Sequence, residues 1–360
     1  MAEYLFIHSN DDYKLPEDYH FSHNLCVRLY DQAVWLLKDG PTQKKVGESI
    51  RFRETDDKFE ESKEHIFEWM LRNGYTSDVD NITAKHTFFS VVSDMCHFIY
   101  QSLHSSKNIK LTVALNLLRK PFLEHLIILE QLLVKEKEFL RKFETNPENF
   151  DPGKLSPEDK KNLINQCAEI IDSKFVMTDL LYELRFDKRN PDSIYANSNQ
   201  ATHLVTTRHA SFKTEKQNLN FIFSDFDDWD NQLSYIYYFL PFLLNYSLEV
   251  IDAFLYHKKV IIRKLYKERK FYRFMALILH FDQFNKKSLK GRSEINTLLG
   301  KLKVECKACK RVNKIFKSDI YHYVHEDYLL CKHCLVDMVY ESDSLRSLMN
   351  KMVSLGKKRG

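Results

Sequence analysis

Between Leu111 and Phe143 the apolar residues Leu111, Leu115, Leu118, Phe122, Leu126, Leu129, Leu133 and Leu140 recur three, four or seven positions apart. That period lays one broad oily stripe along a long helix, which persists only when other helices cover it. The rest of the chain must supply the cover. Only 8 Gly and 8 Pro occur in 360 residues, too few turn formers for a many-stranded β fold, and a hydrophobic content of 44% with 26 Phe and 19 Tyr excludes wholesale disorder. The expected class is mainly α, a helical bundle.

The covering helices are legible in order. Asn24–Lys38 is stopped by Gly40-Pro41, and Asp56–Asn73 is capped by Gly74. Thr83–His104 buries Phe88, Val91, Val92, Met95 and Phe98. Ser156-Pro157-Glu158-Asp159 is a helix start, with proline at the first position and acids in the first turn, and the helix is expected to reach Arg185. A less regular region, Asp187–Asp230, precedes a helix from Asp227 past Leu255, whose Asp225, Asp227, Asp228 and Asp230 suit its first turn better than a metal. Ile236–Leu255 is the longest oily run, but it contains Pro241, Asn245, Glu249 and Asp252. An Asp at a bilayer centre costs about 2.5–3.5 kcal/mol, so this helix is expected in a bundle core and not in a membrane. The first residues lack a signal-peptide pattern, and Cys26, Cys96 and Cys167 stand singly in apolar helical patterns, which together point to a reducing, cytoplasmic setting.

Four further cysteines make two knuckles, Cys306-Lys-Ala-Cys309 and Cys331-Lys-His-Cys334. Each places two thiolates on one side of a tight turn, and together they match a tetrahedral shell for one structural Zn2+ with no position left for water. The β-prone runs Lys314–Lys317 and Tyr321–Val324 predict the hairpin between them. This stretch resembles the zinc-ribbon class.

Net charge is only +4, but its distribution is uneven. His257–Lys317 holds nineteen Lys or Arg against four acids, +15, which leaves −11 for the remainder. Within it Lys258, Lys259, Arg263, Lys264, Lys267, Arg269, Lys270 and Arg273 alternate with Tyr266, Phe271 and Tyr272. Such a run can bind phosphates and stack on bases, or form a solvated face balanced by acids elsewhere.

In the central stripe, Arg119, Glu124 and His125 flank Pro121, polar groups beside a helix breaker. An arginine followed after five residues by a histidine resembles the signature of the HEPN superfamily, helical-bundle proteins of prokaryotic defence and toxin systems. That family usually has a polar residue after the arginine, where this chain has Lys120 and Pro121. A bacterial helical family allied to that superfamily is also similar, with Arg119 and Glu124 on one helix and Tyr195, Ser198 and His203 later. The resemblance implies metal-independent RNA cleavage. Arg119 would stabilise the transition-state charge, and His125 or His203 would move the proton, with Glu124 orienting. The residues alone equally suit a buried Arg–Glu pair with satisfied histidines.

The expected organisation is a bundle over 1–256, HEPN-like over about 83–256, a basic helical segment over 257–302, and a zinc ribbon with a closing helix over 303–360. The expected function is an RNA-engaging antiviral effector and nuclease, more at home on RNA than DNA and open to homodimerisation. The alternative is a non-catalytic adaptor that binds nucleic acid or protein through the ribbon and basic segment.

Overall fold

The computed structural model describes residues 3–8, 13–53, 58–59, 63–146, 151–172, 176–203, 205, 214, 216, 226–284, 303–326 and 328–338. It is mainly helical, with one small antiparallel sheet near its C-terminal end. Helices α1 (His20–Lys38), α2 (Gly40–Lys44) and α3 (Ile66–Arg72) lead to α4 (Thr76–Lys107). The predicted central helix follows in pieces: α5 (Leu111–Lys120), a π-helical turn (Pro121–His125), α6 (Leu126–Val134) and α7 (Glu136–Thr145). Next come α8 (Pro157–Ile171), α9 (Thr178–Phe186), α10 (Ile194–Thr202), α11 (Phe226–His257) and α12 (Arg263–Phe284). Strands β1 (Lys303–Glu305) and β2 (Val312–Lys314) and helix α13 (Lys317–Glu326) complete the described elements.

Local chemistry explains the breaks. Pro121 carries no N–H to continue the helical ladder, and the chain answers with a wider turn in which Leu126 N–H donates to the Pro121 carbonyl, five residues back. At the head of α8 the Ser156 hydroxyl accepts from Asp159 N–H (3.0 Å) and donates to the Asp159 carboxylate (2.7 Å), as the start signal predicts. That helix ends at Ile171, short of Arg185, because Asp172 turns left-handed (φ 49°) and Lys270 of α12 donates to the carbonyls of Ile171 and Asp172. Thr178 then begins a separate helix.

Both α4 and α10 pack on α5, α1 lies against α4 and α11, and α12 lies on α11. The buried cluster runs from Leu5 to Met338 and draws on all three predicted segments. A satellite cluster around Trp69, Met70 and Val79 sits beside it. Among the described residues one helix, Asp228–His257, is long and apolar enough to cross a membrane, but 89% of its apolar window is buried in the bundle. Its polar residues have partners: Asn245 donates to the Arg273 carbonyl (2.9 Å), and Glu249 and Asp252 meet arginines.

The hairpin lies elsewhere than predicted. β1 pairs with β2 around the first knuckle, Lys303 opposite Lys314 and Glu305 opposite Val312, and Tyr321–Val324 is helical. Alternation alone misled there. The face of α13 that carries Ile320 and Tyr323 is buried, and Tyr323 lies against Phe271 and Tyr272 of α12. The helix predicted over Asp56–Asn73 begins only at Ile66, since residues 63–65 are described and not helical; most of the closing helix expected in 303–360 falls outside the described residues, and 336–338 belong to the second knuckle.

Candidate metal centre

The four cysteine sulfurs lie within 4.8 Å of one another, with Cys306 to Cys334 and Cys309 to Cys331 at 3.6 Å, and all four are free thiols. A tetrahedron with metal–sulfur bonds of about 2.3 Å has edges of about 3.8 Å, so the spacing fits a single tetrahedral ion. The two knuckles are built alike. In the first, Cys306 N–H donates to Arg311 O (2.9 Å), Lys310 N–H returns to Cys306 O (2.7 Å), and Lys310 is left-handed (φ 59°). The second repeats this, with Cys331 N–H to Val336 O (2.9 Å), Leu335 N–H to Cys331 O (2.9 Å), and Leu335 at φ 59°. A bridge between Leu330 and Asp337 closes the second knuckle as the β1–β2 pair closes the first.

Asn313, invisible to the motif, ties the knuckles together. Fully buried on β2, its amide donates to Cys331 Sγ (3.4 Å), while its carbonyl oxygen accepts from Lys332 N–H (2.8 Å) across the cluster. Burial would raise the Cys331 thiol pKa. N–H donors from His333 and Cys334, with the Asn313 amide, outweigh burial and bring it down to about 6, favouring the thiolate that binds metal. Val304, Cys306, Ile315 and Cys331 join the main core, so the module is seated on the bundle. The Phe21–Tyr321 stack (5.6 Å) and the Lys317–Asp282 ion pair reinforce that seat.

The residues predicted to be catalytic face different neighbours. Arg119 lies over the Tyr195 ring of α10 (5.9 Å). His125 points to α4, where Nε2 meets Asp94 (2.9 Å) and the ring packs edge-on against Phe98. Burial lowers the His125 pKa against the pull of Asp94. The His125 Nδ1 is buried and has no hydrogen-bond partner among the described residues. Asp94 also holds Lys120 (2.7 Å). Glu124 is exposed, with no ion pair among the described residues, and His203 is exposed at the end of α10. Ser198 is buried and donates to its own helix at Ile194 O (2.6 Å).

The buried Arg–Glu pair that the sequence suggested does exist, between other residues. Arg185 and Glu130, both essentially inaccessible, meet at 2.5 and 3.0 Å, and Tyr246 donates to the same carboxylate (2.7 Å). Arg185 also donates to Phe122 O (2.9 Å) inside the π turn.

Comparison with known protein families, with curated proteins and with solved structures finds no match to this chain.

The predicted basic segment divides in two. Arg269 and Arg273 are buried: Arg269 grips Asp252 (3.0 and 2.9 Å) and Gln32 O (3.2 Å), and Arg273 meets Glu249 (3.2 Å) and Asp252. Lys258 pairs with Glu136 (2.7 Å), and Lys270 caps α8. Lys259, Arg263 and Lys264 are exposed and Lys267 is half-buried, with Lys264 3.9 Å from Glu268. By contrast, Lys303, Lys307, Lys310, Arg311 and Lys314 are all exposed around the first knuckle, where Glu305 is the one acid in residues 303–314. Beside them the half-exposed Phe316 ring carries Lys332 (3.9 Å) and Lys314 (5.5 Å).

Proposed function

We propose that this protein binds RNA through its cysteine module, with one structural zinc ion held by Cys306, Cys309, Cys331 and Cys334. The observation that carries the reading is the exposure of Lys303, Lys310, Arg311 and Lys314 on the first knuckle hairpin while the α12 arginines are neutralised inside the bundle. Zinc is favoured because four thiolates at tetrahedral spacing suit a soft ion with no open coordination position. The metal supplies rigidity: it fixes two turns whose outward side chains then present charge at fixed spacing. Phosphates would meet Lys303, Lys307, Lys310, Arg311 and Lys314. The separate engagement of Arg119 and His125 supports binding without cleavage.

The test is fluorescence anisotropy of the full chain with a labelled single-stranded RNA across a salt series. Affinity should fall with salt, and Lys310→Ala/Arg311→Ala should flatten the log–log slope by about 0.7 for each phosphate no longer neutralised. The RNA should be recovered intact. Salt-independent binding or none would sink the proposal, and cleavage abolished by Arg119→Ala would return the nuclease expectation.

A further inference from the structure

The two knuckles close with the same backbone and with different side chains. At the closing position the first carries Lys310 and the second Leu335, both at φ 59°, and each donates its N–H to the carbonyl of its leading cysteine. A left-handed residue with a Cβ is strained, and glycine would hold either turn without that strain. Ile109, left-handed at φ 56°, has packing in return, since its side chain lies against the bundle core. Leu335 has little: it is 73% exposed, in a knuckle where Leu330 is 41% and Val336 40% exposed. The fold does not account for an apolar side chain carried outward on a strained turn, and such outliers collect at binding sites.

The neighbours of Leu335 narrow what it would meet. Arg311 Nη1 lies 3.5 Å from His333 Nδ1, and Lys332 Nζ donates to Lys314 O (2.8 Å), so the cations of the first knuckle run into the second. Across residues 303–314 and 328–338, six Lys or Arg stand against Glu305 and Asp337. An apolar protein surface laid on Leu335 and Val336 would have to bury cations beside them, a heavy desolvation penalty. A single strand of nucleic acid suits both features, since its backbone takes the cations and its unpaired bases offer flat apolar faces.

We infer that the second knuckle is the base-contacting half of the RNA site: Leu335 and Val336, with the exposed His333 ring beside Arg311, pack against unpaired bases while the first-knuckle cations hold the phosphates. The inference rests on the proposed RNA binding and deepens it by naming the class bound, single-stranded RNA and not duplex. An A-form helix keeps its base faces stacked inside, which leaves Leu335 no face to cover. Contact of this kind selects unpaired segments without reading a sequence.

The experiment measures fluorescence anisotropy of the full chain with three labelled probes: a single-stranded RNA, the duplex of the same sequence, and long-chain inorganic polyphosphate, which has phosphates and no bases. The parent should bind the single strand more tightly than the duplex. Leu335→Gly removes the apolar side chain and the strain together, so it should melt no lower than the parent and keep its metal. It should nevertheless bind the single strand on the order of tenfold more weakly, with an unchanged salt slope. Its affinity for polyphosphate should match the parent's, and Leu335→Met, which keeps the apolar bulk, should bind RNA as the parent does. Lys310→Gly, which relieves the same strain at the other turn, should instead weaken RNA and polyphosphate alike and flatten the RNA salt slope by about 0.7 for each phosphate lost. Parent-like RNA binding by Leu335→Gly, an equal loss on polyphosphate, or equal affinity of the parent for duplex would overturn this inference and leave the proposed function standing. A lower melting temperature or lost metal in Leu335→Gly would overturn it as well, by making Leu335 a residue of the fold. No salt-dependent RNA binding by the parent would overturn both.

Discussion

Arg269 and Arg273 of α12 and Lys310 and Arg311 of the first knuckle belong to one basic run of sequence, yet the first pair is buried against Glu249 and Asp252 and the second is exposed. The difference follows from geometry. Residues four apart on a helix share a face, and on α12 that face lies against α11, whose Glu249 and Asp252, three apart, share the opposing one. The first knuckle turns its sulfurs inward, and Lys310 and Arg311, which follow Cys309 at the turn, are left exposed. The same charge is structural on the helix and available on the turn.

Metal removal should have the largest effect. Structural zinc contributes about 10–16 kcal/mol of apparent binding energy in small zinc-finger peptides at pH 7. Native mass spectrometry should show one zinc per chain, absent in Cys306→Ser/Cys334→Ser, with a lower melting temperature. A metal-free parent that melts no differently would remove the knuckle side of the comparison.

Asp252→Ala comes next. It leaves Arg269 and Arg273 buried with less than their counter-charge, and breaking a buried pair from one side costs about 3–5 kcal/mol, readable by urea unfolding. A loss under about 1 kcal/mol would mean that the arginines reach solvent after all.

Acid should act through the buried histidines. Burial holds His23 and His280 at about 4. Unfolded chains take up these protons near pH 6.5, so stability is whole above that value and falls as pH drops toward 4, by about 3 kcal/mol for each histidine. Urea titrations at pH 7 and pH 4.5 check the slope, and His280→Gln should reduce it.

Lys310→Ala/Arg311→Ala should have the smallest effect on stability, within about 0.5 kcal/mol, because neither residue is an ion-pair partner in the core. A loss comparable to that of Asp252→Ala would erase the contrast between helix and knuckle.

The bundle was legible because its stripes are long, and the metal cluster because each knuckle is a local motif of four residues. Tertiary choices were not. The period of Leu111–Phe143 shows that a helix runs there and that Pro121 disturbs it, but not that Arg119 turns toward α10 and His125 toward α4. Charge counting found the basic run and missed the acids that neutralise it, because Glu249 and Asp252 read as blemishes in an oily helix. Asn313 carries no local signal, since its value lies in reaching a cysteine eighteen residues away.

The π turn at Pro121–His125 also sets how this chain tolerates changes in length. Such a turn holds one residue more than an α-helix would, and each helical residue rotates the downstream helix by about 100°. Deleting a single residue there would let the helix close regularly and leave α6 in phase, so that Glu130 would still meet Arg185 and Tyr246. A residue removed from within α5 or α6 has no such slack and would turn the side chains beyond it by about 100°, so a one-residue deletion should be tolerated at the π turn and not in the regular helix on either side.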